Sequence, residues 1–196
     1  MTSYSAKAQP YLDAIARGVF QSQDVRNWLI AGTPAEAAYS GARILIDEQR
    51  AVRWANKPTK QPFWANYWCG LDSRCTCRPP DSRGLESDAV FFLENPAGRV
   101  LAIHIEFKHA NETFMPGQAE AYPLRAACFA RTHEKRPTVN AHHDWMTVIF
   151  CGTEKLNDRR LANFRRVIPH REAAAMLPGY ATTLCTPQQK DSPECT

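Results

Sequence analysis

Residues 86–109 read ESDAVFFLENPAGRVLAIHIEFKH, and this stretch decides the fold. Two apolar runs flank Asn95-Pro96-Ala97-Gly98. Proline suits the second position of a type I turn, and glycine suits the left-handed position after it. Pro96-Ala97-Gly98 is therefore a three-residue hairpin loop that pairs Asn95 with Arg99. Pairing outward sets Phe92 opposite Ala102, Val90 opposite His104 and Asp88 opposite Glu106. Side chains alternate faces along a strand. Asp88, Val90, Phe92, Ala102, His104, Glu106 and Lys108 share one face; Phe91, Leu93, Leu101, Ile103, Ile105 and Phe107 form the other, apolar one.

Two carboxylates facing each other across a ladder repel. A divalent cation held by oxygen ligands would offset that cost. Lys108, two residues past Glu106, adds a positive charge on the same side. An acidic pair, a divalent ion and a lysine suit phosphodiester hydrolysis: the ion polarises a phosphoryl oxygen and activates water, and the lysine orients that water or stabilises developing charge.

Working outward, residues 8–31 predict one or two short amphipathic helices. Thr33-Pro34-Ala35-Glu36 is a capping box that predicts a helix running on to Val52, ended by Asn56-Lys57-Pro58. The aromatic run QPFWANYWC (61–69) predicts a strand, residues 117–133 a helix disturbed by Pro123, and DWMTVIFC (144–151) a buried strand. Residues 158–177 predict one or two helices broken at Pro169, and the polar end at 186–196 a flexible tail. The three consecutive strands form an antiparallel meander. A helix long enough to cross over lets the last strand join in parallel. The expected layout is α/β, with helices on both sides of a mixed sheet.

Asp88 followed by Glu106-Phe107-Lys108 on the next strand resembles the PD-(D/E)xK nuclease superfamily, over roughly residues 33–151. The resemblance implies a restriction-endonuclease-like mixed sheet (αβββαβ core) with extra N- and C-terminal helices. It also implies a metal-dependent deoxyribonuclease, of endonuclease type in restriction or repair. Asp88, Glu106 and the backbone carbonyl of Phe107 would ligate Mg²⁺, with Mn²⁺ as a substitute, and Lys108 would act on the attacking water. The family's usual proline before the first aspartate is replaced by Ser87. Gln118 and Tyr122, four apart on the following helix, resemble the QxxxY pair of the recombination exonuclease branch, where it positions substrate. A further glutamate from the first core helix would be Glu36 in preference to Glu48, and Glu86 could support or replace Asp88. Two other readings stay open: a catalytically silent subunit of the same fold that binds nucleic acid or protein, and a recombination-type exonuclease.

His104 reads more readily as a core histidine than as a ligand's partner. Cys69, Cys75 and Cys77 supply three thiols for a zinc site with a fourth ligand from elsewhere. Arg159, Arg160, Arg165 and Arg166 cluster where a helix would turn them outward to phosphates. The partner implied is DNA, with RNA and a homodimer left open.

Composition frames these readings without choosing among them. The 196 residues are 44% hydrophobic and 22% charged, which excludes fibrous and mostly disordered classes and expects a single domain. Within it, residues 1–32 would be a helical addition, 33–151 the core and 152–185 C-terminal helices. The net charge of +4 permits a nucleic-acid partner without demanding one. Seven scattered cysteines are a poor disulfide framework, and neither a signal peptide nor a membrane span is visible, so a reduced, cytoplasmic protein is expected.

Overall fold

A computed structural model describes residues 7–55, 61–69, 77, 86–132 and 138–181. The hairpin organises the rest. Its strands β3 (Glu86–Glu94) and β4 (Val100–Phe107) pair antiparallel with Phe92 opposite Ala102 and Val90 opposite His104, the register predicted. The turn closes through Gly98, whose φ of +74° is the left-handed conformation glycine adopts without strain. The Asn95 Oδ1 accepts the N–H groups of both Ala97 and Arg99 there.

Two short strands share the other edge of β3. The strand β1 (Arg43–Ile44) pairs with its C-terminal end, and β2 (Ala65–Trp68) with its N-terminal half, both antiparallel. Beyond β4, the helix α5 (Gln118–Thr132) carries the chain over to β5 (Asp144–Cys151), which pairs with β4 in parallel. A last strand, β6 (Arg166–Pro169), extends the sheet in parallel beyond β5. The result is a mixed six-stranded sheet with helices on both faces.

One face packs against α1 (Gln9–Gln21), α2 (Gln23–Ile30) and α6 (His170–Met176). Phe91, Leu93, Ile103 and Ile105 meet Leu12, Ile15, Val19 and Leu29 there, so the N-terminal helices belong to the main core. The Tyr11 ring stacks on Phe107 at 4.8 Å. The other face, carrying Val90, Phe92 and Ala102, is covered by α5 through Cys128 and Phe129. The N-terminal part of α5 packs Ala119 and Tyr122 on Ile149 and Cys151. Every residue of β4 is buried, as a central strand covered on both faces must be.

Gly18 marks how closely α1 approaches its neighbours. A Cβ there would lie 2.5 Å from Leu177 Cδ2 and 3.3 Å from Val25 Cγ1. Overpacking costs about 1–3 kcal/mol, against the ~0.5–1 kcal/mol that alanine gains in a helix interior. Gly18→Ala is therefore expected to lower stability in urea unfolding; a more stable variant would contradict this packing.

Three expectations need correction. The single helix from Thr33 to Val52 is instead α3 (Glu36–Tyr39), β1 and α4 (Ile46–Trp54). Gly41 at φ +75° turns the chain, and the β3 edge captures it, with the Leu45 N–H donating to the Phe92 carbonyl at 2.9 Å. The helices expected over 158–177 are a 3₁₀ segment (Arg159–Asn163), β6 and α6. Here the open edge of β5 outweighs local helix preference, and the Arg165 N–H donates to the Thr147 carbonyl. The strand expected over 61–69 shortens to four residues, with Asn66 at φ +53° inside it. The stop at Asn56-Lys57-Pro58 and the tail at 186–196 lie outside the described residues.

Candidate active site

Past Ala89↔Ile105, the ladder leaves Asp88 and Glu106 next in register. The Asp88 Oδ2 accepts the Phe107 N–H at 2.8 Å, which ties this carboxyl to the residue between Glu106 and Lys108. Glu106 is 1% exposed and holds three donors. Its Oε1 accepts from Gln118 Nε2 at 2.8 Å and lies 3.0 Å from Lys108 Nζ, while its Oε2 accepts from the Tyr122 hydroxyl. The predicted Asp88, Glu106, Lys108, Gln118 and Tyr122 thus converge at one place. The carboxyl ends of β4 and β5 form its floor, and the first turns of α5 cover it.

Lys108 is 4% exposed and bridges Glu106 to Glu112, whose Oε1 it reaches at 2.7 Å. Burial acts to lower its pKa, but Glu106 and Glu112 outweigh burial and hold the ammonium above the usual lysine value. The Lys108 carbonyl accepts from His170 Nε2 at 2.9 Å, and the Lys108 N–H donates to the Phe150 carbonyl. Its backbone is thus fixed on both sides.

The half-buried Asp88 carboxyl is pushed well above the usual aspartate range. Burial is the largest cause and the charge of Glu106 the next, offset in part by the Phe107 N–H and Lys108. Glu86 stands on the same face and is raised to about 7, again by burial and then by Glu106, with Arg125 opposing. Burial, Glu106 and Asp88 keep the Tyr122 hydroxyl protonated, so it serves as a donor. Arg125, fully buried, lies with its guanidinium 4.5 Å over the Tyr122 ring and donates to the Glu86 carbonyl.

Glu112 and Arg125 are absent from the sequence-level site. Arg125 stands three residues past Tyr122 on one helix face, so helical spacing contained the signal. Glu112 lies in a loop, where no periodicity places a side chain.

Other predicted residues fall elsewhere. The expected capping box does not form: Glu36 accepts the Gly32 N–H at 2.8 Å, the Thr33 hydroxyl accepts the Ala35 N–H, and the short helix starts at Glu36 with no side-chain cap. Its helix is tied to the hairpin end of the sheet, where Asn95 donates to the Ala38 carbonyl and Tyr39 to Asp144. Asp144 precedes Ile149, the partner of Glu106, by five positions on β5, or roughly 16 Å at strand rise. Glu36 is therefore not assembled with Asp88 and Glu106. Glu48 pairs with Arg43 on an exposed surface.

His104 is a core residue: its Nδ1 meets Ser87 Oγ at 3.1 Å, its ring stacks on Phe129, and burial holds its pKa well below the usual value. The arginines do not share one helical face. Arg160 pairs with Asp158 and lies 5.1 Å over the Phe114 ring, whose centroid is 5.8 Å from Lys108 Nζ, so it borders the site. Arg166 pairs with Glu172, and Arg159 and Arg165 are exposed. Cys69 and Cys77 are buried beside Cys128 rather than grouped by sequence alone; Cys75 lies outside the described residues.

The charge balance tests whether a metal fits. Glu86, Asp88, Glu106 and Glu112 gather against Lys108 and Arg125. Glu106 is buried, Glu86 and Asp88 half-buried and Glu112 exposed, so carboxylates outnumber cations here, and two of them are raised by a neighbouring charge, a setting that matches hard cations with oxygen ligands. Asp88 and Glu106 fit that role.

Among the described residues no helix is long and apolar enough to cross a membrane. No family model matches the chain, and no curated protein or solved structure matches it.

Proposed function

We propose that this protein is a Mg²⁺-dependent deoxyribonuclease of the PD-(D/E)xK type, with a restriction-endonuclease-like core. The observation that carries the reading is the Asp88/Glu106 pair on one sheet face with the Lys108 ammonium 3.0 Å from Glu106. Asp88, Glu106 and the Phe107 carbonyl would hold the ion; once bound, it polarises a phosphoryl oxygen and acidifies water. Gln118 and Tyr122 fix the orientation of the Glu106 carboxylate. Lys108 presents a fixed positive charge where charge develops on the phosphoryl group, and such preorganised charge acts strongly in a water-poor site. Arg160 and the exposed Arg159 and Arg165 supply contacts to the nucleic-acid backbone near this end of the sheet.

Incubation of the protein with supercoiled plasmid and with linear duplex in Mg²⁺ tests the reading. Nicking or linearisation of plasmid is expected, and its loss in Asp88→Ala. Degradation of linear duplex alone would assign the exonuclease branch. DNA binding without cleavage, and without a Mn²⁺ isotherm in calorimetry, would assign the silent subunit.

The raised Glu86 pKa predicts a pH effect without divalent ions. A carboxyl raised on folding contributes stability that is complete at low pH and is lost as pH rises from 4.5 through about 7. Glu86→Gln is expected to flatten the metal-free stability profile over that window, read by thermal melts. An unchanged slope would show that Glu86 titrates normally.

A further inference from the structure

We infer that Cys69, Cys77 and Cys128 form a structural zinc site, separate from the carboxylate site. Their sulfur atoms all lie within 4.8 Å of one another, and all three residues are buried. They come from three parts of the chain: the residue after β2, the segment leading to β3, and the middle of α5. Three thiols from separate segments meet at one point and supply three of the four ligands of a tetrahedral structural zinc. Zinc–thiolate bonds of about 2.3 Å in a tetrahedron set sulfur separations of roughly 3.8 Å. The cluster has that scale. The Cys69 and Cys77 sulfurs stand 3.0 Å apart, beyond the covalent S–S length of about 2.05 Å.

The chemistry of the two sites differs. Soft thiolates select zinc, whereas the oxygen ligands around Glu106 suit magnesium or manganese. Tyr67, Val90, Phe92 and Phe129 wall the thiols, which keeps water from the bonds. The site joins the β2 side of the sheet to α5, six residues beyond Tyr122 and ten beyond Gln118 on that helix. A bound zinc would thus staple the helix that holds the Glu106 carboxylate, since metal binding to a folded site is folding free energy.

Elemental analysis of the full-length protein, expressed with zinc and dialysed, is the first test. About one zinc per chain is expected. Replacement by Co²⁺ should produce a sulfur-to-cobalt charge-transfer band in the near ultraviolet. Cys128→Ser should lose both zinc and band. Cys151→Ser, a buried thiol outside the cluster, should keep them. Asp88→Ala should also retain zinc, so failure of the nuclease reading is distinguishable from failure of this one. Wild-type protein without zinc and without the cobalt band would overturn the inference even if Cys128→Ser fails to fold. So would a Cys69–Cys77 disulfide found by mass spectrometry without reduction, because a disulfide makes no use of Cys128.

Discussion

Replacing Lys108 by methionine is expected to lower DNA cleavage by roughly 10²–10³-fold, the range seen when one preorganised group is removed from a charge-stabilising site. The side chain is almost completely buried, so solvent cannot replace its charge. Methionine keeps most of the stem and gives up the ammonium, which lies 5.8 Å from the Phe114 ring centroid. The substitution leaves Glu106 buried with two neutral donors, Gln118 and Tyr122. Breaking a buried ion pair from one side costs about 3–5 kcal/mol, so stability must be followed with activity. Lys108→Met combined with Glu106→Gln removes the uncompensated charge and is expected to recover most of the lost stability in urea unfolding. Full cleavage by a folded Lys108→Met protein would remove the lysine from the reaction.

Asp88→Asn is expected to move activity and stability in opposite directions. The asparagine carbonyl can still accept the Phe107 N–H, so the local hydrogen bond survives. What disappears is a charge that burial and Glu106 both disfavour. Without metal, the variant should gain about 0.5–2 kcal/mol, as when a strained functional site is relaxed. The sign of the pH effect follows from the raised pKa: wild-type stability declines as pH rises above the ordinary aspartate value, and the two proteins converge in acid, where both side chains are neutral. Divalent metal reverses the order. An ion at a hundred times its dissociation constant stabilises the wild type by about 2.7 kcal/mol, and Asp88→Asn should show little of that gain. Melts with and without Mg²⁺ read all of this. Equal metal-induced shifts in both proteins would show that Asp88 does not hold the ion.

The two halves of the candidate site differ in how legible they were. Asp88 and Glu106 follow from a turn and a two-residue period, both local properties, and the observed register agrees. Gln118, Tyr122 and Arg125 lie on one face of α5, within reach of helical spacing. Glu112 is brought to Lys108 by a loop, and loop geometry has no period. The same distinction runs through the fold. The apolar run from Met146 to Cys151 is buried on both faces and reads as a strand in any context. Residues 33–52 and 158–169 carry helix-compatible patterns, yet each lies beside an open sheet edge. Main-chain pairing to β3 and β5 there outweighs propensities of a few tenths of a kcal/mol per residue.

By itself the sequence determined the hairpin, its register and the face bearing Asp88, Glu106 and Lys108, because turn chemistry and strand alternation act within a few residues. It also allowed a crossover to a parallel strand, since the helix after the meander is long enough to span the sheet, and the structure shows that pairing. Only the tertiary structure decided that this face is sealed by α5, that Lys108 is shared between Glu106 and Glu112, and that Cys128 joins Cys69 and Cys77. Those features depend on burial and on charges from segments far apart in the chain, and no local pattern encodes either.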